Sequence, residues 1–135
     1  EGNDFVAKNL TIENTAGTVG QAVALSINAT RAFFENCSLL GNQDTLYTAG
    51  EGFKQYFRNC YIEGTTDFIF GEATVLFENC TIHSKANSYI TAASTPKNQK
   101  FGYVTSYAVM INSIKLIYTC YNSTMLKRTI TLQIT

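Results

Sequence analysis

The chain has 135 residues, 45% of them hydrophobic, and its 10 basic and 10 acidic side chains cancel to a formal charge of zero. That length supports one domain, and the charge balance removes the electrostatic case for nucleic acid or an anionic membrane surface as partner. No apolar run approaches the ~18–20 residues of a membrane span, and the polar start Glu1-Gly2-Asn3-Asp4 is no secretory leader, so any export signal is expected to lie outside this chain or to have been removed.

Taken in order, four segments repeat. Val6–Ile12, Phe33–Leu39, Tyr56–Ile62 and Leu76–Ile82 each alternate around a central asparagine (Asn9, Asn36, Asn59, Asn79), and these asparagines advance by 27, 23 and 20 residues. A period in the twenties marks a solenoid. The alternation of two, rich in β-branched and aromatic residues, argues for strands over helices, and the Leu-x-x-Leu-x-Leu frame of leucine-rich repeats is absent. The predicted fold is therefore all-β, a right-handed parallel β-helix whose coils stack at ~4.8 Å. The four asparagines are expected to form a hydrogen-bonded ladder facing other parts of the chain, with Leu10, Cys37, Cys60 and Cys80 as a neighbouring column. Cys60 and Cys80, one rung apart, fall within disulfide reach, a bond that the spacing permits without requiring. Of the Asn-x-Ser/Thr sequons at Asn9, Asn28, Asn36, Asn79 and Asn122, three are ladder positions, which leaves Asn28 and Asn122 as the candidate glycan sites.

Pro96 sits in a polar run, Ala93 to Lys100, that reads as a loop. Beyond Val104 no further aromatic-Asn-Cys unit follows, all ten acids are already behind, and Tyr118-Thr119-Cys120-Tyr121-Asn122 reverses the Asn-Cys order. This shift divides the chain into central coils of a longer solenoid, residues 1–104, and a divergent β-prone tail, residues 105–135.

The repeat also aligns two acids. Asp44 stands eight residues after Asn36 and Asp67 eight after Asn59, so both hold one offset on consecutive rungs, with Cα atoms ~5 Å apart. Like charges that close cannot both ionise comfortably, which leaves one nucleophile or base beside one proton donor. Such a pair suits glycoside hydrolysis, ester hydrolysis or acidic proteolysis, or else a pair of turn acids satisfied by backbone N–H groups. His83, the sole histidine, has no Gly-x-Ser-x-Gly elbow beside it and reads as structural or surface.

Three ordered blocks narrow the choice. Gln21-Ala22-Val23-Ala24-Leu25, Gln43-Asp44-Thr45-Leu46-Tyr47 and Asp67-Phe68-Ile69-Phe70-Gly71, with the Asn-Cys units between them, resemble the signature blocks of the pectin methylesterases over residues 4–104. The resemblance implies the same right-handed parallel β-helix. It implies hydrolysis of galacturonate methyl esters in pectin with release of methanol, no metal or organic cofactor, a monomer, and a secreted, cell-wall location. By position it implies that Asp67 is the nucleophile, that Asp44 protonates the departing methoxide and then activates water, and that Gln21 and Gln43 donate to the oxyanion. Tyr47, Phe70 and Thr66 are the implied substrate-binding residues of the sugar cleft. The Gly-His-Gly element of a polygalacturonase and the calcium-binding acidic cluster of a pectate lyase are both missing.

The chain departs from the family pattern in one block, Leu-Gly-Arg-Pro-Trp, whose arginine pairs with the nucleophilic aspartate. There is no Trp, the only Pro is Pro96, and Arg31, Arg58 and Arg128 stand in other contexts. Without that guanidinium the pKa of Asp67 is expected to rise. Two expectations follow: an esterase with an incomplete site, or a non-catalytic pectin-binding or structural β-helix that keeps the cleft but not the chemistry.

Overall fold

A computed structural model describes residues 2–111. Its fourteen strands form three parallel sheets. The first holds β1 (Val6–Lys8), β4 (Ala32–Glu35), β7 (Lys54–Arg58), β10 (Thr74–Glu78) and β13 (Tyr103–Ser106). The second holds β2 (Thr11–Glu13), β5 (Ser38–Leu40), β8 (Tyr61–Gly64), β11 (Thr81–Ser84) and β14 (Val109–Ile111). The third holds β3 (Leu25–Asn28), β6 (Leu46–Ala49), β9 (Ile69–Gly71) and β12 (Thr91–Ala93). Each coil visits the sheets in turn, and each strand pairs with its counterparts on the coils before and after it, which makes a parallel β-helix.

Alternation builds the core. In the first sheet the register stacks Ala7, Phe34, Phe57 and Phe77 inward, with ring centroids 4.8 Å apart for Phe34–Phe57 and 5.2 Å for Phe57–Phe77. The second sheet stacks Leu39, Ile62, Ile82 and Met110 in the same way. Each large side chain taken fully out of water stabilises the coil by about 2–3 kcal/mol, so a one-residue slip of any strand would turn this column outward.

Between the first and second sheets the chain bends through a single left-handed residue. Asn9, Asn36, Asn59 and Asn79 have φ of 56, 53, 54 and 50°, a region that asparagine tolerates better than other side chains with a Cβ. The amide of Asn36 donates to Asn9 at 3.3 Å and that of Asn79 to Asn59 at 2.7 Å, so a ladder is present. Its residues, however, are exposed to solvent, meeting the neighbouring coils only through one another instead of facing into other parts of the chain. The left-handed turn throws them outward while their backbone N–H groups bond to the next coil at 2.8–3.0 Å. Cys37, Cys60 and Cys80 follow as a buried column of free thiols, each directed at a carbonyl of the preceding rung: Ala7, Phe34 and Phe57, at 3.7, 3.6 and 3.5 Å. Leu10 does not share their burial and is 48% exposed.

The coil continues past residue 104. β13 pairs in register with β10 and β14 with β11, which puts Tyr107 (φ 54°, 85% exposed) in the asparagine slot. Asn28, at the end of β3, is exposed. The remainder of the 105–135 segment, with Cys120, Asn122 and Arg128, lies outside the described residues.

Candidate active site

Between the second and third sheets a tight turn recurs, beginning at a buried glycine and ending at an aspartate: Gly41 to Asp44 on one coil, Gly64 to Asp67 on the next. Glycine is dictated by packing. A Cβ on Gly64 would stand 2.2 Å from Cβ of Phe68 and 2.6 Å from the Asn42 carbonyl oxygen, and one on Gly41 would stand 2.6 Å from Oγ1 of Thr45. That hydroxyl is itself buried, 3.1 Å from the carbonyl oxygen of Asn42 and 2.9 Å from that of Glu63, and so ties the two turns together. The turn forces both aspartates into the left-handed region, with φ of 64° at Asp44 and 47° at Asp67.

The register then aligns everything that follows. Leu46 pairs with Ile69 and Tyr47 with Phe70, so Asp44 and Asp67, each two residues upstream of the first pair, hold the same place on adjacent rungs. The N–H of Asp67 donates to the Tyr89 carbonyl at 2.7 Å and that of Asp44 to the Thr66 carbonyl at 3.4 Å. Gln21 and Gln43 form a parallel bridge on the two coils that precede Asp67. The rings of Tyr47 and Phe70 stack at 4.8 Å with 8° between their planes, a flat two-ring platform three residues downstream of the aspartates. The register thus sets Gln21 beside Gln43, Asp44 level with Asp67 and Tyr47 against Phe70 on neighbouring coils, with Thr66 immediately before Asp67 in its turn.

Electrostatics separates the two acids. Burial raises the Asp44 carboxyl above the usual carboxylate range, and the charge of Asp67 raises it further. Burial also raises Asp67. No salt bridge among the described residues reaches either one: Lys8 and Arg58 are on Glu35, Arg31 on Asp4 and Lys85 on Glu63. Arg128 lies outside the described residues. Asp44 is the less solvent-exposed of the pair, and the one whose carboxyl is raised by its neighbour's charge as well as by burial.

His83 stands elsewhere, on the second sheet, with Nδ1 2.7 Å from the Tyr61 hydroxyl and 3.8 Å from Glu63. A groove of about 540 Å³ on the outer face of the first sheet, floored by Phe33, Tyr56 and Leu76, contains none of the predicted site residues. Among the described residues no group of three His, Cys, Asp or Glu side chains is placed to hold a metal ion, and no helix is long and apolar enough to cross a membrane.

Sequence reasoning missed Glu72. Its carboxylate lies 3.4–3.5 Å from the Tyr47 hydroxyl and accepts the Gly50 N–H at 3.4 Å. The available signal was parity, because Glu72 follows the outward-facing Phe70 by two residues. Gly71 between them turns at φ 127°, where a Cβ would lie 2.2 Å from the Thr48 carbonyl oxygen.

This architecture has relatives. The family model described as pectinesterase matches residues 1–129. Pectinesterase 31 of Arabidopsis thaliana is 52% identical over 106 residues, covering 77% of this chain and 33% of that protein. The pectin methylesterase PemA from Erwinia chrysanthemi superposes with a TM-score of 0.74 at 37% identity, over 83% of this chain and 40% of that one. A pectin methylesterase solved in complex with a hexasaccharide does so with a TM-score of 0.72 at 37% identity, over 84% of this chain and 40% of that one. The chain spans about a third of the curated relative's length. With the family model matched over nearly the whole sequence and the parallel β-helix shared with solved members, the chain belongs to the pectinesterase family.

Proposed function

We propose that this chain carries the acid pair of a carboxylic ester hydrolase that removes methyl esters from galacturonate units of pectin outside the cell. One observation carries the reading: two aspartates in identical left-handed turns on adjacent rungs, the less exposed one raised by burial and by its partner's charge. Asp67, as carboxylate, attacks the ester carbonyl carbon. The oxyanion that forms accepts from the side-chain amides of Gln21 and Gln43, donors worth about 3 kcal/mol each when preorganised. Asp44 gives its proton to the methoxide as the C–O bond breaks, and methanol leaves an acyl group on Asp67. Asp44, now a carboxylate, takes a proton from water, whose oxygen attacks the acyl carbon and returns Asp67 and a free uronate. Tyr47 and Phe70 give a sugar ring a flat apolar face, and Thr66 contributes the adjoining wall.

A second reading, a non-catalytic pectin-binding β-helix, is favoured by the lack of any cation on Asp67 among the described residues. Methanol release from highly esterified pectin separates the two. The enzyme reading expects release that falls at least about 10³-fold in Asp67→Ala and Asp67→Asn. Binding of pectin without release by the folded wild-type chain would overturn it in favour of the second.

A further inference from the structure

The Tyr47–Phe70 platform lies between two acidic features. At one end stand Asp44 and Asp67, each three residues upstream of its ring. At the other stands Glu72, reached through the bend at Gly71 and held against the Tyr47 hydroxyl and the Gly50 N–H. Both of its partners are neutral donors, and no Lys, Arg or His among the described residues forms an ion pair with it. A carboxylate with no cation paired to it among the described residues therefore borders the surface on which sugar rings would stack.

Nothing in the packing requires that charge. The two hydrogen bonds that Glu72 accepts are long, and a glutamine carbonyl oxygen in the same place would accept both. What only the charge supplies is discrimination between a neutral group and a nearby anion, beside side chains that are partly shielded from water. A polyuronate offers that choice at every unit, since an esterified residue is neutral and a free one carries a carboxylate.

We propose that Glu72 is a specificity-determining residue, whose carboxylate repels a free galacturonate at the Tyr47 end of the platform and so favours stretches in which the neighbouring unit is still esterified. The proposal rests on the substrate reading above. It requires no step in the chemistry, because Glu72 touches the platform and not the reacting atoms.

The test is binding, so that it does not depend on turnover. Hexamers of galacturonate, one fully methyl-esterified and one unesterified, are titrated calorimetrically into Asp67→Ala protein with and without Glu72→Gln. Removing the charge is expected to tighten the unesterified hexamer about 3- to 10-fold at low salt, with a smaller change for the esterified one. The gain should shrink in 0.5 M salt, where the screening length falls to a few ångströms. Equal changes for both hexamers, or weaker binding of the unesterified one, would overturn the proposal and leave Glu72 as a prop for Tyr47; so would failure of either hexamer to bind. Methanol release by protein with Asp67 intact is scored separately. No release alongside a Glu72→Gln effect removes the reaction and keeps the specificity residue, whereas release without that effect does the reverse.

Discussion

Two coils of this solenoid bend through the left-handed region first at an asparagine and then at an aspartate, and the two bends carry opposite chemistry. Between the first and second sheets the bend residue is asparagine on four coils, and the amides pair Asn36 with Asn9 and Asn79 with Asn59, so neutral hydrogen bonds between rungs offset the strained φ. Between the second and third sheets, on two adjacent coils, the bend residue is aspartate, buried at Asp44 and half-buried at Asp67, level with a second carboxylate and without a cation among the described residues. The backbone is alike in the two places. One bend stabilises the stack, and the other accepts a cost in exchange for a proton donor next to a nucleophile.

The largest expected effect comes from the glycine that makes the aspartate bend fit. Gly64→Ala sets a Cβ against Phe68 and the Asn42 carbonyl, and should destabilise the fold by about 3 kcal/mol in denaturant titration while displacing Asp67 enough to abolish methanol release. Wild-type stability in that variant would mean that the turn is softer than its packing indicates.

Paired substitutions at the two bends should then separate chemistry from stability. Gln43→Ala, beside the aspartates, is expected to lower kcat by about 10²-fold with little change in melting temperature. Asn59→Ala, in the ladder, should lose about 1–2 kcal/mol of stability through the missing Asn79 hydrogen bond and the left-handed Cβ, and leave kcat/KM near wild type. A kcat loss at Asn59 matching that at Gln43 would erase the distinction between the bends.

Much of this was legible before any coordinates. Strand positions follow from an alternation of two that Phe34, Phe57 and Phe77 keep rung after rung, and coil stacking from the spacing of Asn36, Asn59 and Asn79. The level placement of the two Asp residues followed as well, because equal offsets in a parallel repeat become neighbours in space, whereas Gln21 and Gln43 stand at unequal offsets and were pointed to only by the family resemblance. What stayed hidden has physical reasons. A ladder pattern tells that asparagines bond to one another but not which way the bend throws them, so their exposure was misjudged. The fifth rung lacks the Asn-Cys signature because backbone bonds such as Asn79 N–H to the Ser106 carbonyl, 2.8 Å, hold it whatever side chain occupies the slot. Parity puts Glu72 on the outward side with Phe70, but its contact with Tyr47, 25 residues away, also depends on the bend at Gly71, which alternation alone does not encode.

The most direct test of the contrast is the pH dependence of unfolding for wild type, Asp67→Asn and Asn59→Ala, followed from about pH 3 to pH 8. Burial raises the folded-state pKa of Asp67 above its unfolded value of 3.8. Its contribution to stability is therefore intact below that value and is lost as pH rises through the folded one. Asp67→Asn should match wild type at the acidic end and exceed it near neutrality, by on the order of 1 kcal/mol, while Asn59→Ala is less stable throughout. An Asp67→Asn protein no more stable than wild type near pH 7 would contradict the account, because the aspartate bend would then carry no cost and the two turns would differ only in name.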